Sequence, residues 1–195
     1  MMVIDNGRVS AGPLASLAGL APLLVFSNSL SQGVALGVAF FLAYSAAGAM
    51  ALLLPARLGR SLVFMFSILG AAVVSSLTAS ALRLFDPFLF EAAYDRVFLS
   101  VFTLPVLRAC VIPATVSDRE RAIERLLWGI GYSFLIAVTG AAREFLATGA
   151  VSTRFGTERG SLLPIFAQPA GAFMLIALAA AAFTVVIKAV RGSES

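Results

Sequence analysis

The chain has 195 residues, 60% of them hydrophobic and only 12% charged, and it carries a formal net charge of +4. No stretch is long or polar enough to make a separate soluble domain, so one domain over 1–195 is expected, and the basic residues stand singly between apolar runs, which argues against a nucleic-acid partner. The single cysteine, Cys110, excludes an internal disulfide, and the lack of histidine removes the commonest metal ligand and proton shuttle.

In chain order, nothing charged interrupts Val9 to Ala56, Ser61 to Leu82, Leu126 to Ala142 or Gly160 to Ile187. A membrane-spanning helix needs roughly 20 mainly apolar residues, and only a helix or a closed barrel satisfies its own backbone in lipid. Segments such as Leu178 to Ile187 do not alternate apolar with polar residues, so a helical bundle is predicted rather than a barrel. The first run is long enough for two helices, Pro13 to Ser29 and Gly33 to Leu54, with the polar stretch Ser27 to Gly33 as the hairpin between them. Asp5 and the lack of a small-residue cleavage pattern predict that the first helix stays in the mature protein. The third helix is expected at Arg60 to Leu84, the fourth at Tyr94 to Val116, the fifth at Ile123 to Phe145 and the sixth at Leu162 to Val190. Pro55 to Gly59, Asp86-Pro87, Ser117 to Arg121 and Thr148 to Gly160 hold the turn-formers of the connectors.

The fold expected is therefore an all-α integral membrane protein with six transmembrane helices. Both termini then share one side with Arg8, Arg57, Arg60, Arg119, Arg121, Arg125, Lys188 and Arg191. Arg83, Arg96, Arg143, Arg154 and Arg159 fall on the other side, and this asymmetry predicts cytoplasmic termini. The first and fourth helices are the weakest spans of their halves and carry Pro22 and Pro105, with Pro113 as a further break. Interrupted helices in corresponding positions point to two inverted three-helix repeats, 1–85 and 86–195, with helices 1 and 4 broken; the plainer reading is two proline kinks.

Few residues here can carry chemistry. Cys110 reads from composition as a small buried hydrophobe. Arg108 lies inside a predicted span, where a guanidinium needs a partner: a carbonyl, a lipid phosphate or a neighbouring subunit, unless the break at Pro105 lets it snorkel. Arg143 and Glu144 read as an interfacial anchor and a helix-end charge, with a role in ion passage as the alternative, and Asn28 as a hairpin cap or an uncharged oxygen for an ion. Gly33 and Gly37, four apart, predict a smooth face for close helix packing. Asp118 to Arg125 reads as a solvated charged turn or a docking point for a peripheral subunit.

Three segments, Gly19 to Leu30, Arg143 to Gly149 and Leu163 to Phe173, resemble the small integral subunits of the Rnf and Na⁺-translocating Nqr complexes over nearly the whole chain. The Asn28-Ser29-Leu30 and Pro169-Ala-Gly-Ala-Phe173 segments resemble the RnfE/NqrD branch more than the sister RnfA/NqrE branch. The resemblance implies a six-helix inverted repeat in the bacterial inner membrane, bound by lipid and paired with an RnfA/NqrE-like sister subunit and the other Rnf/Nqr subunits. It also implies a [2Fe-2S] cluster shared with the sister subunit, each subunit giving one cysteine from broken helix 1 and one from broken helix 4. Here the helix 4 position is Cys110, preceded by Arg108-Ala109 where the family usually has Thr-Asn, and the helix 1 position is Ala21. Alanine cannot ligate iron, so this chain offers at most one of its two thiolates. The function implied is that of a membrane subunit that helps pass electrons between ferredoxin, flavodoxin or NADH and downstream carriers, coupled to Na⁺ or H⁺ transport. The alternatives are a stand-alone small-solute transporter on the same repeat, or a scaffold subunit of the same complex without a redox role.

Overall fold

Apolar runs buried in lipid must close their backbone hydrogen bonds internally, and the computed structural model has that outcome in helices. It describes residues 3–5, 8–10, 19–54, 59–109, 118–151, 163–166, 168–178 and 181. A two-stranded antiparallel ribbon, β1 (Val3–Asp5) with β2 (Arg8–Ser10), comes first and pairs Ile4 with Val9. An all-helical reading passes over this ribbon, although the sequence between its strands, Asn6-Gly7, is a known hairpin signal. The helices are α1 (Ala21–Phe26), α2 (Leu30–Leu53), α3 (Arg60–Phe85), α4 (Pro87–Leu99), α5 (Leu104–Ala109), α6 (Asp118–Thr148) and α7 (Pro169–Leu178). Single 3₁₀ turns, Ser100–Phe102 and Pro164–Phe166, precede α5 and α7.

Among the described residues three helices are long and apolar enough to cross a membrane: Leu30–Leu53, Ser61–Phe85 and Leu126–Thr148. They match the expected second, third and fifth spans. Half of α2's most apolar window is buried, against 28% of α3's and 22% of α6's, so α2 is the central helix. Its inner face carries Leu36, Ala39, Phe40, Ala43 and Ala47. These meet Ile136 of α6, Ala71 and Ala79 of α3 and Val97 of α4 in one apolar core. Met65, Leu69, Val73 and Leu77 leave the outer face of α3 apolar and exposed, as a lipid-facing helix requires.

Small residues set how closely α2 and α6 approach, as the Gly33 and Gly37 spacing predicts. A Cβ on Gly37 would stand 2.8 Å from the carbonyl oxygen of Ser133, and one on Gly33 would stand 3.1 Å from that of Ile136.

Four boundaries differ from the sequence expectation, each for a local reason. Helix α2 begins at Leu30 rather than Gly33, because Ser29 caps it: the Ser29 Oγ accepts from the Gln32 amide at 3.3 Å. Asp86-Pro87, expected in a connector, instead opens α4. The Asp86 Oδ1 accepts from the Leu89 amide at 3.0 Å, and Pro87 takes the first helical position, where its missing N–H is no loss. The break in the fourth span falls at Ser100 to Thr103, just ahead of Pro105. Finally, α6 starts at Asp118 and runs to Thr148, three residues beyond Phe145. The rest of the expected first, fourth and sixth spans lies outside the described residues.

Candidate functional site

The six-residue helix α1 is too short to cross a membrane, and it ends among buried residues, with Leu23 and Leu24 in the core. The last carbonyls of any helix have no partner within it, and burying them unpaired is costly. In this chain each one is met. The Leu23 carbonyl accepts from the Ser27 amide at 3.1 Å. Arg143 Nη1 donates to the carbonyls of Leu24 (3.3 Å), Val25 (2.6 Å) and Ser27 (3.1 Å). The remaining carbonyl, that of Phe26, accepts from Arg96 Nη1 at 3.1 Å, and the Arg96 guanidinium also lies 5.3 Å from the Phe26 ring centroid.

Arg143 comes from α6 and is fully buried. Its other edge turns to the sixth segment: Nε donates to the Phe166 carbonyl at 3.0 Å and Nη2 to the Gln168 carbonyl at 2.9 Å. One guanidinium thus fastens the end of α1 to the turn that leads into α7. Reading Arg143 as an interfacial anchor misses this. The residue is near the end of α6 in sequence, but that end packs against the break between α1 and α2.

Across the break, the start of α2 has the opposite need, since its first amides lack acceptors. Glu144 Oε2 accepts from the Leu30 amide at 2.8 Å, Ser29 Oγ takes that of Gln32, and the Ser29 carbonyl takes that of Gly33 at 2.8 Å. The charges therefore follow the helix dipoles, cations at the end of α1 and a carboxylate at the start of α2. Gln32 Oε1 links the two sides, accepting from Arg96 Nη1 and from the Asn28 amide, each at 3.3 Å. The buried Ser27 Oγ donates to the Ile136 carbonyl at 3.2 Å, and the joint is tight enough that a Cβ on Gly140 would meet the Ser29 carbonyl oxygen at 2.6 Å.

The second break is built differently. Between α4 and α5, Ser100 Oγ donates to the Val97 carbonyl at 2.6 Å and Thr103 Oγ1 to the Ser100 carbonyl at 2.8 Å. Here both hydroxyls come from the break itself.

Of the residues singled out from the sequence, Asn28 joins the first break through its backbone amide, while the capping side chain is that of Ser29. Ala21 is the first residue of α1 and half-buried, and its methyl group has no donor atom for a metal. Arg108 lies on α5, and Cys110 lies outside the described residues. Asp95 stands well inside α4 and is exposed, not at a helix end as the expected boundaries have it. Among the described residues no group of three or more His, Cys, Asp or Glu side chains is gathered where a metal ion could sit. The sequence marks Arg143 and Glu144 by the adjacency of two opposite charges at the end of an apolar helix, but not as partners of this joint, and it marks Arg96 only as a topology charge.

This arrangement, a bundle of apolar helices of membrane-spanning length joined to a short helix at a buried polar joint, defines a helical integral membrane protein. The profile of the Rnf-Nqr subunit family of membrane proteins matches residues 3–180, and the chain belongs to that family. No curated protein matches the chain.

Proposed function

We propose that the chain is a membrane subunit of an Rnf- or Nqr-type complex that helps pass electrons between ferredoxin, flavodoxin or NADH and downstream carriers while Na⁺ or H⁺ crosses the membrane. The observation that carries this reading is the family match over residues 3–180. In this reading the chain forms six spans as two inverted three-helix halves, with cytoplasmic termini in the bacterial inner membrane. Its partner is a sister subunit of the RnfA/NqrE kind. Membership in the RnfE/NqrD branch rests on the Asn28-Ser29-Leu30 and Pro169 to Phe173 segments.

The iron-sulfur cluster fits this chain poorly. Ala21 cannot supply the thiolate expected from the first span, so Cys110 is the one ligand the chain can offer a [2Fe-2S] centre. That departure favours a second reading, a scaffold subunit of the same complex without a redox role.

The deciding experiment is electron paramagnetic resonance with iron analysis on the dithionite-reduced complex, comparing wild type with Cys110→Ala. A [2Fe-2S] signal lost in the variant makes Cys110 a ligand and requires a substitute for Ala21. An unchanged electron-transfer rate with no such signal in either complex supports the scaffold. Deletion of the chain that leaves electron transfer and ion uptake by membrane vesicles intact overturns both readings.

A further inference from the structure

The ends of broken membrane helices present carbonyl oxygens that commonly coordinate a small cation. In this chain five such oxygens, from Leu24, Val25, Ser27, Phe166 and Gln168, surround one guanidinium, each 2.6 to 3.3 Å from one of its three nitrogens. They come from two separate discontinuities of the backbone, the end of α1 and the turn ahead of α7. We propose that this is an internal cation site whose occupant is tethered: Arg143 holds the place of a mobile monovalent ion and keeps the joint closed whatever the ionic composition outside.

The geometry favours a planar guanidinium over a spherical ion. The acceptors split by origin: the three carbonyls at the end of α1 share the two Nη1 protons, and the two of the turn ahead of α7 take Nε and Nη2, so one planar group reaches both sets at once. Arg143 and four of its five carbonyl bonds are buried, and the α1 end, already the negative pole of that helix, holds Arg96 as a second cation on Phe26. The nearby Ser27 hydroxyl is spent on the Ile136 carbonyl. With its carbonyls taken by arginine protons, this end of the first span does not bind Na⁺ in the wild-type chain. The inference stands on the joint alone and does not require the electron-transport assignment.

The test uses the full-length protein extracted in mild detergent, with thermal unfolding followed by the fluorescence of Trp128. Arg143→Met keeps bulk and removes charge, Arg143→Lys keeps a cation, and Arg143→Ala opens the cage to millimolar guanidinium chloride, with NaCl at equal strength as control. The folding equilibrium constant of Arg143→Met should fall about tenfold or more, as losing charged hydrogen bonds to several buried carbonyls implies. A cation should restore it, tethered as lysine or free as guanidinium, while wild type responds to neither salt. Arg143→Met folding as well as wild type overturns the proposal. So does failure of both Arg143→Lys and guanidinium to restore what Arg143→Met loses. If Arg143→Ala does not fold at all, the comparison of lysine with methionine decides alone.

Discussion

At the scale of single residues, the joint between α1 and α2 is held by side chains whose charge or hydroxyl answers unpaired backbone groups, five of them at Arg143 alone. Ser29 is the simplest: its hydroxyl caps the Gln32 amide, so Ser29→Ala should destabilise the chain by about 1 kcal/mol in an unfolding titration, and Ser29→Asn should recover most of that. Glu144→Gln keeps an oxygen for the Leu30 amide but removes the anion from the start of α2. It should cost about 0.3 to 1 kcal/mol, a loss that shrinks where salt reaches the site. The role of Glu144 was not legible in the sequence, because it lies 114 positions from Leu30 and meets it only once α2 and α6 pack, whereas Ser29 and Gln32 form a local Ser-x-x-Gln cap. Arg108 drew attention instead, being charged inside an expected span, while Arg143 near a helix end looked ordinary.

At the scale of elements, the contact between α2 and α6 depends on glycines where backbone meets backbone. Gly140→Ala would force a methyl group against the Ser29 carbonyl and should destabilise the protein by about 1 to 3 kcal/mol, whereas Gly131→Ala, on the same helix with open space around it, should be neutral or stabilising by up to about 1 kcal/mol. Measuring both variants by the same unfolding assay separates helix propensity from packing. The long helices were legible because uninterrupted apolar runs leave lipid-buried backbone no other choice. Their ends were less so: Asp86-Pro87 reads equally as a turn or as a cap with proline at the first helical position, and the packing of α4 against α3 selects the cap. The first joint was visible as the polar hairpin Ser27 to Gly33 and the second as Pro105, but what seals them was not. One is closed by arginines and a glutamate from distant helices, the other by its own serine and threonine.

At the scale of the whole molecule, the membrane class and the family follow from features spread over the chain: three apolar helices that can cross a membrane, and a family match over residues 3–180. The candidate redox position depends on two residues only, and one of them is alanine, so the chain departs from its family where the chemistry would sit. The account's central claim is that the chain works inside a multi-subunit electron-transport complex. The most direct measurement is to tag it at its native level, purify it in mild detergent, and ask what comes with it and what the preparation oxidises. The account predicts co-purification with a sister membrane subunit and redox subunits, and oxidation of NADH or reduced ferredoxin that drives Na⁺ or H⁺ uptake once reconstituted. A chain that elutes alone and carries a small solute across liposomes without partners would contradict it.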